Sequence, residues 1–172
     1  DVYQGDWKNN MANGNGCIVN LQGGTSDGEW VDDQQHGYGK ETWDNGRIQY
    51  TGNFHKGQKV GRGRYEWSDG SYYEGDFENG MFSGHGIYFF ADSDKTYEGD
   101  FNNNHFQGKG KLTYGNGNVY NGHFDNGLQH GQGTMSYANG DKYIGAWQND
   151  MKQGIGIWYS AKDSTKKQGE WN

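Results

Sequence analysis

The chain has 172 residues and a formal net charge of −7, and hydrophobic residues make up only 30% of it, with aromatics alone at 16%. That acidic balance disfavours nucleic acid as a generic partner, because phosphate binding is driven mainly by Lys and Arg, and a lone Cys17 excludes a disulfide framework or a cysteine-based metal site. No apolar run is long enough to span a bilayer, no signal peptide is legible and no Asn-x-Ser/Thr acceptor occurs, so the expected location is cytoplasmic, and the missing initiator Met points to a fragment of a longer protein.

Low hydrophobicity with 32 glycines would ordinarily read as disorder. A fixed register argues otherwise. Units begin near residues 3, 26, 50, 73, 97, 120 and 143, followed by a partial strand at 167–172, and together they predict one continuous repeat domain over 1–172. Strand one of each unit follows Y-x-G-x-[W/F]: Tyr3 to Trp7, Tyr50 to Phe54, Tyr73 to Phe77, Tyr97 to Phe101, Tyr120 to Phe124 and Tyr143 to Trp147. Two copies are worn, with Ser26 and Lys167 where the tyrosine belongs. Seven and nine residues after each closing aromatic comes a glycine pair, as in Phe54 with Gly61 and Gly63, or Phe101 with Gly108 and Gly110. The polar stretch 102–107 reads as a loop between the two strands, and Asn45-Gly46, Asp69-Gly70, Asn116-Gly117 and Asn139-Gly140 read as tight hairpin turns.

Strand side chains alternate faces, so tyrosine, glycine and closing aromatic share one face with both glycines of strand two and the large residues after them, including Trp43, Tyr65, Trp67, Phe90 and Tyr114. The other face carries Glu74, Asp76, Glu98, Asp100, Arg62, Arg64, Lys109 and Lys111. Two glycines per strand imply close approach of bulky neighbours, here rings lying over bare backbone.

This combination of Y-x-G-x-W, polar stretch, G-x-G, aromatic and D/N-G resembles the MORN repeat over essentially the whole chain. The resemblance implies an all-β fold, one elongated, twisted antiparallel sheet of tandem hairpins, used as a scaffold or tether in cytoskeletal, ciliary or membrane-associated assemblies. It also implies, as alternatives, the accessory region of a larger enzyme such as a SET-domain methyltransferase or a phosphatidylinositol phosphate kinase, or a phospholipid-binding tether.

Little in the chain suggests catalysis or a cofactor. The glycine pairs lie in strands and not in phosphate-binding loops, and His36, His55, His85, His105, His123 and His130 are scattered over units expected to stand about 10 Å apart, too far to share a metal. The acid pairs Glu74 with Asp76 and Glu98 with Asp100 read as cross-strand charge partners of the nearby Arg and Lys residues. The candidate partner site is an aromatic groove along Trp43, Tyr50, Phe54, Trp67, Tyr73, Phe77, Phe90, Tyr97 and Phe101, suited to a peptide or helix of a protein partner. In the seventh unit the polar face turns apolar at Ile144, Ala146, Ile155, Ile157 and Tyr159, a candidate end interface for a following segment, a partner or a second copy. Lys56, Lys59, Arg62 and Arg64 form the one basic cluster, a candidate contact for an anionic phospholipid head group.

Overall fold

Inside each of the seven hairpin copies the chain reverses at two adjacent residues that both have positive φ: Asn9-Asn10, Asp32-Asp33, Lys56-Gly57, Asn79-Gly80, Asn103-Asn104, Asn126-Gly127 and Asn149-Asp150. Type I′ hairpin turns need that conformation at both central positions, and Asn, Asp and Gly tolerate it best. The computed structural model describes residues 1–171. Around these turns it places β1 (Val2–Lys8), β2 (Met11–Val19), β3 (Thr25–Val31), β4 (Gln34–Trp43), β5 (Ile48–His55), β6 (Gln58–Glu66), β7 (Tyr72–Glu78), β8 (Met81–Phe90), β9 (Lys95–Asn102), β10 (His105–Thr113), β11 (Val119–Asp125), β12 (Leu128–Ser136), β13 (Lys142–Gln148), β14 (Met151–Ser160) and β15 (Thr165–Trp171). Hydrogen bonding follows chain order from β1 to β15 in one antiparallel sheet, with a 3₁₀ turn at Asp44–Gly46 between β4 and β5. By its internal contacts the chain divides into two compact units, the first ending at Gly84 and the second beginning at His85.

The tight turn and the loop are therefore the reverse of what the sequence pattern suggests. The polar stretch expected as a loop at 102–107 is a two-residue turn with β10 already under way at His105. The Asn-Gly places, by contrast, form wider reversals. Between β10 and β11 the Tyr114 N–H donates to Asn118 O at 2.9 Å and the Gly117 N–H to Tyr114 O at 2.9 Å, with positive φ at Gly117 only. Trp67 to Ser71 and Tyr137 to Asp141 repeat that pattern.

In the first unit Tyr50 and Tyr73 are completely buried, as are Tyr97, Tyr120 and Tyr143 in the second. Tyr50, Tyr97, Tyr120 and Tyr143 lie on glycine backbone: a Cβ added at Gly63 would come 2.6 Å from the Tyr50 ring, and one at Gly110 2.5 Å from that of Tyr97. The hydroxyl then donates to the carbonyl three residues on, at 3.0 Å for Tyr50 to Asn53, 2.7 Å for Tyr73 to Asp76 and 2.8 Å for Tyr97 to Asp100. Closing aromatics meet the tyrosine edge-on from two copies, Phe54 and Phe77 both at 5.1 Å from Tyr50, Phe101 at 5.2 Å and Phe124 at 5.0 Å from Tyr97. Burial of such a ring stabilises by about 2 kcal/mol and each edge-to-face pair by about 1 kcal/mol more. This is how a chain poor in Leu, Ile and Val builds a core.

It is the second glycine of the pair, as at Gly16, Gly63, Gly110, Gly133 and Gly156, that lies under a tyrosine ring, which corrects the expectation that both do. The first one, at Gly14, Gly37, Gly61, Gly84, Gly108, Gly131 and Gly154, has φ between 59° and 78° and sits where the ladder slips register, as between Phe106 and Gly110. It is a bulge. In two copies an aspartate from strand one serves it, Asp6 accepting the Asn15 N–H at 3.1 Å and Asp100 the Lys109 N–H at 3.3 Å.

The worn second copy leaves a defect. With Ser26 in the tyrosine position, Gln35 is 5% exposed and its Nε2 has no hydrogen-bond partner. Gln35→Leu is expected to raise the urea midpoint by the equivalent of about 1 kcal/mol, and a fall would show that the amide is satisfied.

Candidate interaction face

Five residues after each closing aromatic the second strand of the hairpin sends one side chain back over the tyrosine row: Ala12, Gln35, Lys59, Phe82, Phe106, Gln129 and Lys152 in successive copies. In the first unit Phe82 stacks on Tyr73, centroids 3.9 Å apart and planes 16° apart, while Lys59 Nζ lies 4.9 Å from the Tyr50 centroid. In the second, Phe106 stacks on Tyr97 at 3.7 Å and 7°, and Gln129 Nε2 donates to the Tyr114 hydroxyl at 2.7 Å. These residues fall in what the sequence suggests is a polar loop. Their constant offset from the closing aromatic is the signal that marks them.

Farther along strand two come the half-buried rings. The first unit carries Trp43, Tyr65 and Trp67, with Tyr65 5.8 Å from Trp43 and 4.7 Å from Trp67. The second carries Tyr88 with Phe90 at 4.4 Å and Tyr137 with Trp158 at 5.1 Å. Of the expected groove residues, Trp43, Trp67 and Phe90 belong to this accessible set. Tyr50, Phe54, Tyr73, Phe77, Tyr97 and Phe101 do not: at 0–4% exposure they are core, each boxed in by glycine below and rings around it, and none can touch a partner.

The expected basic cluster is not a patch either. Lys56 occupies a turn, and Lys59 lies on the ring face with Nζ 2.5 Å from Glu41 Oε2. Arg62 and Arg64 point to the opposite face, where Arg64 Nη1 meets Glu74 at 2.8 Å and Arg62 Nε meets Asp76 at 3.7 Å. Strand alternation separates residues that sequence proximity groups together. The first acid pair is thus engaged in cross-strand ion pairs, and in the second Glu98 stands opposite Lys111 while Asp100 lies 3.6 Å from His85 Nδ1.

At the seventh repeat, Ile144 stands opposite Ile157 and remains 40% exposed, and Ile155 is 67% exposed. Ala146, Ile157 and Tyr159 are intermediate, and Lys166 Nζ sits 5.7 Å from the Tyr159 centroid. The trailing β15 pairs beside β14 and brings Lys166 and Lys167, charges of the kind that discourage edge pairing.

Histidines of neighbouring copies come closer than expected, because the second strand of one copy abuts the first strand of the next: His36 and His55 have centroids 4.8 Å apart. His123 faces His130 across the β11–β12 ladder. Among the described residues no three His, Cys, Asp or Glu side chains are grouped to hold a metal ion, and no helix is long and apolar enough to cross a membrane. Burial drives the hydroxyls of Tyr50, Tyr73, Tyr97 and Tyr120 well above the ordinary phenol range, so they act as fixed neutral donors and not as acids or bases.

Alsin from Rattus norvegicus is 32% identical over 79 residues, a match covering 43% of this chain and 5% of that protein, so the chain spans a small part of its relative's length. Among solved structures, the SAS-4 (dCPAP) TCP domain in complex with a proline-rich motif of Ana2 (dSTIL) from Drosophila melanogaster matches at 12% identity and a TM-score of 0.46, covering 91% of this chain and 90% of that one. The family model described as MORN repeat matches seven successive segments, 3–19, 27–46, 50–72, 73–95, 97–119, 120–142 and 143–165. Those seven segments coincide with the seven hairpin copies, and with them the chain belongs to the MORN repeat family.

Proposed function

We propose that this chain is a non-catalytic interaction scaffold that holds an extended or helical segment of a protein partner against its half-buried rings. The observation that carries this reading is the division of labour among the aromatics. The tyrosines from Tyr50 to Tyr143 and the closing aromatics from Trp30 to Trp147 are sealed in the core, yet a second set, Trp43, Tyr65 and Trp67 in the first unit and Phe90, Tyr137 and Trp158 in the second, stays accessible on the same face. Rings cost little conformational entropy to immobilise and offer large contact area, which suits them to anchor a partner. The coarser role, a repeat-type interaction module, follows from the family; the ring face as its contact surface, and a cytoskeletal, ciliary or membrane-associated setting, are the proposal. A phospholipid tether has less to support it, since Arg62 and Arg64 are already engaged with carboxylates.

A displayed peptide library selected against the whole chain tests this directly. Selected peptides should lose tenfold or more in affinity on Trp67→Ala or on Phe90→Ala, and nothing on Leu21→Ala, a side chain 91% exposed in a reversal. Circular dichroism melts confirm that each variant is folded. Peptides indifferent to both ring variants would overturn the assignment of the face.

A further inference from the structure

Two copies of the repeat place a lysine in the position above the tyrosine, and their surroundings differ in one respect. In the first unit Lys59 Nζ lies 5.1 Å from the Trp43 centroid and 4.9 Å from that of Tyr50. In the second unit Lys152 Nζ lies 5.4 Å from Tyr137 and 5.0 Å from Tyr143, the residues at the same repeat positions, and 4.7 Å from Trp158. Lys59 has an internal counterion: Glu41, two residues after the second glycine of its copy, reaches it at 2.5 Å, and the two side chains are only 19% and 18% exposed. The residue two places after the second glycine in the matching copy of the second unit is Met135. Among the described residues Lys152 takes part in no ion pair.

The ammonium of Lys152 is therefore half-buried among three rings without the carboxylate that the sister site contains. Ring faces attract a cation but do not replace a counterion. Beside it lies an open cavity of about 470 Å³ lined in part by Gln129, Met135, Asp150 and Trp171. Asp150, the carboxylate on that lining, accepts the Gln129 N–H at 2.7 Å. The cavity has room for the group that Glu41 supplies in the first unit.

We propose that Lys152, framed by Tyr137, Tyr143 and Trp158, is a carboxylate-recognition position that takes an aspartate or glutamate side chain of an acidic peptide segment from a protein partner. This rests on the reading of the ring face as a peptide-binding surface. The internal Glu41–Lys59 pair is the template: what the first unit satisfies from within, the second leaves for a partner to satisfy. The position selects among peptides, because a neutral residue placed there would leave the ammonium unpaired.

The test uses the whole chain and peptides obtained by library selection on it, each acidic one synthesised as a pair differing only by Glu or Gln at one residue. The Glu peptide is expected to bind at least tenfold tighter than its Gln twin, a difference that shrinks as salt is raised. Lys152→Met should erase that difference while leaving the Gln peptide's affinity unchanged. Met135→Glu, which copies the first unit, should weaken the Glu peptide tenfold or more. Should either variant fail to fold, the Glu-against-Gln comparison on the unaltered chain still decides. Selected peptides that depend on Trp158 but show no acidic preference sink this proposal and leave the ring face intact; peptides that ignore Trp67, Phe90 and Trp158 alike sink the underlying reading. Binding to phosphatidylserine vesicles, but not phosphatidylcholine ones, that is lost in Lys152→Met would assign the position to a membrane and overturn the peptide.

Discussion

Raising the pH above about 10, the ordinary phenol pKa, is expected to unfold this protein, with stability falling by about 5 kcal/mol per pH unit. The slope comes from four hydroxyls, those of Tyr50, Tyr73, Tyr97 and Tyr120, whose burial holds their pKa well above that of an exposed phenol. Once the pH passes the unfolded value, the unfolded chain sheds protons that the native chain keeps, so unfolding is favoured by about 1.4 kcal/mol per group per pH unit. Below that pH both states are protonated and the contribution is whole. Against a typical domain stability of about 10 kcal/mol, the transition should centre near pH 12. Phenolate absorbance followed alongside circular dichroism checks it: those four groups should ionise together with the loss of sheet structure. Titration of all thirteen tyrosines near the ordinary value with the sheet intact would contradict their burial. Tyr73→Phe should make the alkaline slope shallower by one proton, at a cost near neutrality of about 1 kcal/mol for the lost bond to the Asp76 carbonyl.

Adding a single methyl group to the glycine beneath a tyrosine is the second large effect. Gly63→Ala and Gly110→Ala should each destabilise by about 3 kcal/mol, because the new Cβ would lie 2.6 Å and 2.5 Å from the ring above. Neither glycine has positive φ, so backbone strain plays no part. Gly57→Ala is the informative contrast, since Gly57 has φ of 74° but nothing within 4 Å of an added Cβ. That change should cost only about 1 kcal/mol. Urea midpoints rank the three, and Gly57→Ala as the most damaging would mean that the rings do not rest on the glycines.

The sequence makes the tyrosine-on-glycine core legible because both partners sit at fixed offsets in every copy, and a strand that buries one face must keep that parity. What it conceals follows from departures from simple alternation. A bulge at the first glycine cannot be told from an ordinary strand glycine by spacing, since only φ distinguishes them, as at Gly61 with +59° and Gly63 in extended backbone. The turn residues also mislead. Asn116-Gly117 looks like a two-residue hairpin, whereas Asn103-Asn104, with no glycine, is the one that forms it. Misplacing that turn hides Phe82, Phe106, Lys59 and Gln129 in a supposed loop, and with them the lids that finish the core. The candidate face then fails in a related way: hydrophobicity alone cannot separate Tyr50 and Phe77, which are buried, from Trp43 and Trp67, which are half-buried.

The lid position carries a further implication. Outside the second copy, where Ser26 replaces the tyrosine, a tyrosine lies beneath it every time, yet the residue placed there is in turn Ala12, Lys59, Phe82, Phe106, Gln129 and Lys152. Size, polarity and charge can thus be exchanged one residue per hairpin without disturbing the scaffold below, so such a protein can acquire a new binding preference by rewriting a short string of single letters while its architecture stays put.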